Sequence, residues 1–308
     1  MPAAAAITGS VMNIDGAPVA GARVSIFAYE TPEAERTRFM SDTPEAVPLA
    51  TAQTDAKGAF SLESPKQSVV RLQVNASGYV PIGRRVERDE DAGALMMPRA
   101  DSARTGTVTS GGGKGVANAT VVLSYGAAEQ IERTNEQGRY NAPDFKRLRK
   151  LTVLHPDYAL DEKTFSSGAG AASSDRDLNR TLSAGVKVTG RVLGADGETP
   201  VANAVISIDG RELAKSGEDG TFTVAHATSR WAMLTARKDT LIAQQAFAKD
   251  KVYTLRLAKA ATISGRVTDV RSRAALAGVV VSASTRRFGG EPPISVETDA
   301  KGQYSLVV

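Results

Sequence analysis

Three short patterns recur four times, always in the same order, along a chain of 308 residues. An apolar-x-Gly-x-Val segment stands at Ile7-Thr8-Gly9-Ser10-Val11. It returns at Val188-Thr189-Gly190-Arg191-Val192 and Ile263-Ser264-Gly265-Arg266-Val267, with a weaker copy at Arg104-Thr105-Gly106-Thr107-Val108. Ten or more residues later comes a second segment, beginning at Val19, Val116, Val201 and Leu276. The third is Thr54-Asp55-Ala56-Lys57-Gly58-Ala59-Phe60, matched by Thr134 to Tyr140 and Thr298 to Tyr304, and by Asp219-Gly220-Thr221-Phe222. Repetition at this period means an array of similar units.

Each pattern has a physical reading. After the second segment, Val24 and Ile26, Val121 and Leu123, and Ile206 and Ile208 alternate with small or polar residues. A period of two marks a strand with one buried face. The third pattern is a hairpin: Asp or Asn opens a turn by bonding the backbone ahead, and the glycine takes the left-handed conformation. Phe60, Tyr140, Phe222 and Tyr304 begin the return strand. Gly9 and its counterparts point inward, and such a glycine lets another group come close to the backbone; the hairpin aromatic is the expected group. Later strands run through Leu72–Val74, Leu151–Val153 and Met233–Leu234, and closing strands through Leu95–Met97, Leu178–Leu182 and Tyr253–Leu257. About seven short strands per unit predict an all-β tandem array of Ig-like, seven-stranded antiparallel β-sandwiches. The only helical signal is a turn near Pro32 to Arg36.

The expected units are 1–100, 101–183, 184–259 and 260–308. The distance from strand glycine to turn glycine varies (49, 32, 30 and 37 residues), whereas that from turn glycine to the next strand glycine is 48, 52 and 45. Insertions therefore fall in the loop after the second strand: residues 29–50 in the first unit and Arg286 to Pro293 in the fourth. Loops that lengthen on a fixed scaffold are where binding tends to sit. Six residues follow the last turn glycine, so the fourth sandwich is expected to be truncated, with the natural chain continuing past Val308.

These motifs resemble those of the carboxypeptidase regulatory-like domain, a transthyretin-like (prealbumin-like) β-sandwich. The likeness covers nearly the whole chain and is weakest in the second unit, where Arg104 replaces the first apolar residue. The third unit departs at its turn, with Ser216-Gly217 in place of the Thr-Asp pair. The resemblance implies a non-catalytic, extracytoplasmic sandwich. Such modules are appended to metallocarboxypeptidases, to bacterial surface and adhesion-like proteins, and to outer-membrane receptors.

Composition excludes several chemistries. No cysteine is present, which removes disulfides, thiolate nucleophiles and cysteine-held zinc. The two histidines, His155 and His226, fall in different units, so no catalytic residue, metal or cofactor is expected. Gly111-Gly112-Gly113-Lys114-Gly115 lacks the Ser or Thr of a phosphate loop and reads as a turn. Asp55, Asp219 and Asp299 read as turn caps rather than calcium ligands, because Asn135 fills the same slot. Asp89-Glu90-Asp91 reads as a solvated loop, Ser166 to Ser174 as a flexible one, and Trp231 as a packing residue. Asn75, Asn118 and Asn179 begin glycosylation sequons, which matter only in a host that uses them.

Net charge is +4, from 38 basic and 34 acidic residues, which gives no argument for nucleic acid. No apolar run reaches the ~20 residues of a membrane span, and Met1 to Ala6 is no intact signal peptide. The candidate partner-binding residues are Tyr29, Arg36, Arg38 and Phe39 in the first insertion. To these the basic run adds Lys146, Arg147, Arg149 and Lys150, which could meet a protein or glycan surface. The expectation is a spacer or adhesion-type segment of a larger bacterial envelope protein, extracellular or in the cell envelope, standing as a monomeric rod. The alternatives are an accessory region of an enzyme such as a metallocarboxypeptidase, or the N-terminal extension of an outer-membrane receptor.

Overall fold

The structure is a computed structural model that describes residues 6–30, 35, 38–39, 43–67, 69–165, 177–208, 211–228, 233–247, 251–283 and 294–307. The first module holds β1 (Ala6–Asn13), β2 (Arg23–Phe27), β3 (Ala50–Gln53), β4 (Ala59–Glu63), β5 (Val69–Asn75), β6 (Ile82–Glu87) and β7 (Asp91–Met97). The second holds β8 (Arg104–Ser110), β9 (Thr120–Ser124), β10 (Glu129–Arg133), β11 (Arg139–Ala142), β12 (Lys150–Leu154), β13 (Asp161–Thr164) and β14 (Arg180–Leu182). The third holds β15 (Val186–Leu193), β16 (Val205–Ile208), β17 (Arg211–Lys215), β18 (Thr221–Ala227), β19 (Met233–Lys238), β20 (Leu241–Ala246) and β21 (Val252–Arg256). The short β22 (Ala258–Lys259) follows. The fourth module holds β23 (Thr262–Arg266), β24 (Val280–Ala283), β25 (Ile294–Glu297) and β26 (Gln303–Val307).

Three modules share one topology. A three-stranded sheet (β4-β1-β7, β11-β8-β14 and β18-β15-β21) faces a sheet built as β3-β2-β5-β6, β10-β9-β12-β13 and β17-β16-β19-β20, the last extended by β22. The all-β sandwich array read from the repeats is thus present. One feature departs from the fully antiparallel expectation. The first and last strands of each complete module pair in parallel: β1 with β7, β8 with β14 and β15 with β21. The chain therefore enters a module at one end of this pair and leaves at the other.

Each sandwich has its own core. Ile7, Val24, Ile26 and Leu72 are fully buried in the first, Val121, Leu123 and Leu151 in the second, and Ile206, Leu234 and Leu255 are at most 2% exposed in the third. In the fourth, β23 pairs with β26 and β24 with β25, and Ile263 is 47% exposed where its counterpart Ile7 is buried. The array is not a straight rod in which modules meet only their sequence neighbours. A Cβ placed on Gly278 of the fourth module would stand 3.1 Å from Cγ of Gln67 in the first.

The repeated residues are the joints of the sandwich. A Cβ on Gly9, Gly190 or Gly265 would come within 2.6 to 2.9 Å of the ring atoms or hydroxyl of Phe60, Phe222 or Tyr304, and one on Gly106 would collide with Tyr140. The aromatic approach expected at these glycines is what the strand register delivers, since Gly9 lies opposite Phe60 and Gly106 opposite Tyr140. Tyr140 also donates from its hydroxyl to the carbonyl of Leu178 at 2.6 Å. The turn Asp and Asn side chains are caps: Asp55 Oδ1 accepts from the amides of Lys57 and Ala59, Asn135 Oδ1 from those of Gln137 and Arg139, and Asp299 Oδ1 from those of Lys301 and Gln303.

A further repeated device lies in the residue before the cap. Thr54, Thr134, Ser216 and Thr298 are buried. Their hydroxyls accept from the amides of Ala22, Ala119, Ala204 and Val279 at 2.8 to 2.9 Å. They donate to the carbonyls of Val19, Val116, Val201 and Leu276, each at 2.6 Å. This pin joins the hairpin to the second repeated segment, and Ser216 preserves it where the third turn departs from the pattern. Thr134→Val keeps the volume but strands two buried backbone groups, at a cost of about 1–3 kcal/mol. Chemical denaturation of the second module is expected to show that loss, with Thr134→Ser close to wild type. Between pin and strand, Gly21, Asn118, Asn203 and Gly278 all have φ between +56° and +70°. Only Gly and Asn alternate there because they tolerate the left-handed region.

Candidate functional site

The first insertion leaves β2 and folds onto the second module. Phe39 is 6% exposed and packs with Val122 and Leu154, with half-buried Ile131 and Leu160 at the edge. These lie on the outer face of the β10-β9-β12-β13 sheet, because Val121, Leu123 and Val153 fill the inner one. Arg38 lies 4.5 Å from the Phe39 ring centroid. Its Nε donates to both carboxylate oxygens of Glu30 at 2.9 Å, and Glu129 of β10 stands 3.7 Å from its guanidinium. Arg38 and Phe39, candidates for an outside partner, are thus brought together and engaged within the chain.

Glu129 is the hub of this junction. Its backbone carbonyl accepts from Gln73 Nε2 at 3.0 Å and its amide donates to Gln73 Oε1 at 3.2 Å. Beside it, Arg71 Nη1 donates to the carbonyl of Ala127 at 3.2 Å. A Cβ on Gly83 of β6 would fall 2.6 Å from the Ala127 carbonyl carbon, so the strand must be bare there for the modules to meet. Arg71, Gln73 and Gly83 sit on the solvent side of the first sandwich and carry no repeat signal. The sequence sign of the junction was the run Val121-Val122-Leu123, which is apolar on both faces.

Glu35 belongs to the same cluster. Burial pushes its carboxyl up to about 7, helped by the adjacent carboxylate of Glu129 and opposed by Lys150 and Arg38. A group raised in the folded state contributes stability that is complete below its ordinary carboxylate range and is lost as pH rises through about 7. The thermal midpoint of the full chain is therefore expected to fall between pH 5.5 and 8.5 by more than that of Glu35→Gln. Equal falls would contradict the assignment.

An open cleft of about 530 Å³ flanks the junction, lined by Asn75, Ser77, Tyr79, Gln130, Asn141 and Pro143, among others. Its amides are partly engaged by neighbours, Asn75 with Gln73 at 3.4 Å and Gln130 with Glu132 at 2.8 Å. Tyr29 is half-buried near Arg71 and Arg85, and burial raises its hydroxyl pKa. The basic run splits. Leu148 enters the core, Arg147 is held by the buried Asp144 at 2.5 Å and Lys150 pairs with Glu162 at 3.0 Å, whereas Lys146 and Arg149 are exposed. Arg36, Trp231, Ser166 to Ser174 and Arg286 to Pro293 lie outside the described residues.

The remaining chemical candidates resolve locally. Gly111 to Gly113 form a turn in which the Gly113 amide donates to the Ser110 carbonyl at 2.9 Å. His155 Nδ1 accepts from the Asp157 amide at 3.2 Å, and His226 Nδ1 lies 2.8 Å from the carbonyl of Ala184 in the linker. Among the described residues no group of three or more acidic or histidine side chains could hold a metal, and no helix is long and apolar enough to cross a membrane.

No family model matches the chain, and neither does any curated protein. Among solved structures it is similar to a streptococcal ancillary pilin, at 10% identity over 82% of this chain and 99% of that one, with a TM-score of 0.25. BcpA, the major pilin subunit of Bacillus cereus, matches at 9% identity over 83% and 99%, with a TM-score of 0.22. The shaft pilin SpaA from Lactobacillus rhamnosus GG matches at 12% over 83% and 98%, with a TM-score of 0.22. At these scores the superposition is too loose for anything about role to rest on it.

Proposed function

We propose that the chain is a non-catalytic array of sandwiches, a spacer or adhesion-type segment of an envelope protein that stands outside the cytoplasm. The observation that supports this best is where the recurring residues go. Glycine, aromatic, threonine pin and Asx cap are each consumed in closing a sandwich, in copy after copy. What varies between copies is the loop after the second strand. The motif resemblance to carboxypeptidase regulatory-like domains supports the extracytoplasmic setting. Contact with a protein or glycan surface would fall to the side chains left at the surface, Lys146 and Arg149, and to the half-buried Tyr29.

Antibodies raised against the purified chain test the location. Labelling of intact cells, or recovery from the periplasm, is the expected result. Confinement to the cytosolic fraction would overturn the reading. The contact surface is tested by Lys146→Glu/Arg149→Glu, which should weaken attachment to host or matrix surfaces several-fold while leaving the fold intact.

A further inference from the structure

The parallel pairing of first and last strands has a mechanical consequence. Pulling on the two ends of a module draws the start of its first strand one way and the end of its last strand the other. Those strands lie side by side and run in the same direction. The load therefore runs along both strands, across the hydrogen bonds between them, and the bonds must shear together. Antiparallel terminal strands would present both ends at the same edge and would unzip one bond at a time.

Depth of pairing differs among modules. Five residues of β1 (Thr8, Ser10, Val11, Met12 and Asn13) are matched along β7, and five of β15, Thr189 to Leu193, along β21. In the second module three are matched: Val108, Thr109 and Ser110 against Arg180, Thr181 and Leu182. The clamps are sealed from beneath by buried side chains, Leu95 and Met97 in the first, Leu182 in the second, Tyr253 and Leu255 in the third. Among the described residues β23 of the fourth module is paired only with β26 and has no such clamp.

We propose that each complete module is built to carry tension, with its first and last strands as a parallel shear clamp and the second module as the weakest link. The purpose assigned to this property rests on the structural-array reading above; the property itself does not depend on where the protein resides.

The test stretches the full chain. Because it contains no cysteine, one added at each end gives a single attachment point. Clamp-to-clamp lengths give steps of roughly 300, 250 and 220 Å for the first, second and third modules at about 3.5 Å per extended residue. Three steps are expected, with the ~250 Å step at the lowest force. A second tether, from the N-terminus to Lys251→Cys just before β21, draws both strands of the third clamp from the same end, so that their bonds open one at a time. That module should then give a shorter step at clearly lower force, with the other two unchanged. The proposal is overturned if the second module is not the weakest, or if loading the β15–β21 pair from one end leaves the force of the third module unchanged. Cytosolic location of the protein would undo its proposed purpose but neither of these results.

Discussion

Gly138→Ala is expected to unfold the second sandwich while leaving the first and third folded. Gly138 has φ +74°, and its amide donates to Asn135 while its carbonyl accepts from Val108. A methyl group there would collide with the carbonyl oxygen of that same Val108. Two penalties add. The left-handed conformation costs a non-glycine residue about 1 kcal/mol, and the clash forces the hairpin off β8, which breaks the Val108 bond and loosens the Thr134 pin. A total of about 3–5 kcal/mol is a large part of the stability of one small domain. In calorimetry the variant should lose one component of the unfolding heat. A midpoint shift of under about 1 °C in every component would contradict the role given to this turn.

The second large effect is non-additivity between Gly106 and Tyr140. Gly106→Ala alone drives a methyl group into the Tyr140 ring and should cost about 2–4 kcal/mol, as overpacking against a well-filled core does. Tyr140→Leu alone removes the bond to the Leu178 carbonyl and opens a cavity, for about 2–4 kcal/mol. In the double variant the methyl occupies space the ring has left. The pair should then cost little more than Tyr140→Leu, with a coupling of about 1.5 kcal/mol or more. Additive losses would mean that the glycine is retained for some other reason.

The fold was legible because its marks are local. The Gly-x-Val strand, the Asx-capped hairpin and the aromatic two residues past the turn glycine each declare a backbone conformation in a handful of residues, and four copies remove the ambiguity of one. Parallel pairing was not legible, because Leu95 to Met97 reads as a strand whichever neighbour it joins. The threonine pin stood in the repeat at Thr54, Thr134 and Thr298, but its meaning depends on backbone groups 15 to 35 residues earlier. The junction was hidden for a different reason. Arg71, Gln73 and Gly83 are ordinary solvent-side residues until a second module covers them. Arg38 and Phe39 look like an exposed cation and aromatic in a long loop, and only the outer face of β9 and β12 shows why they are there.

The central claim is that the recurring residues make three separately cored sandwiches, and hydrogen exchange of the intact chain across a denaturant series tests it most directly. The account predicts three cooperative blocks bounded by β1 to β7, β8 to β14 and β15 to β21, each opening at its own free energy. Single-block opening of the whole chain, or a boundary that separates β1 from β7 or β8 from β14, would contradict it.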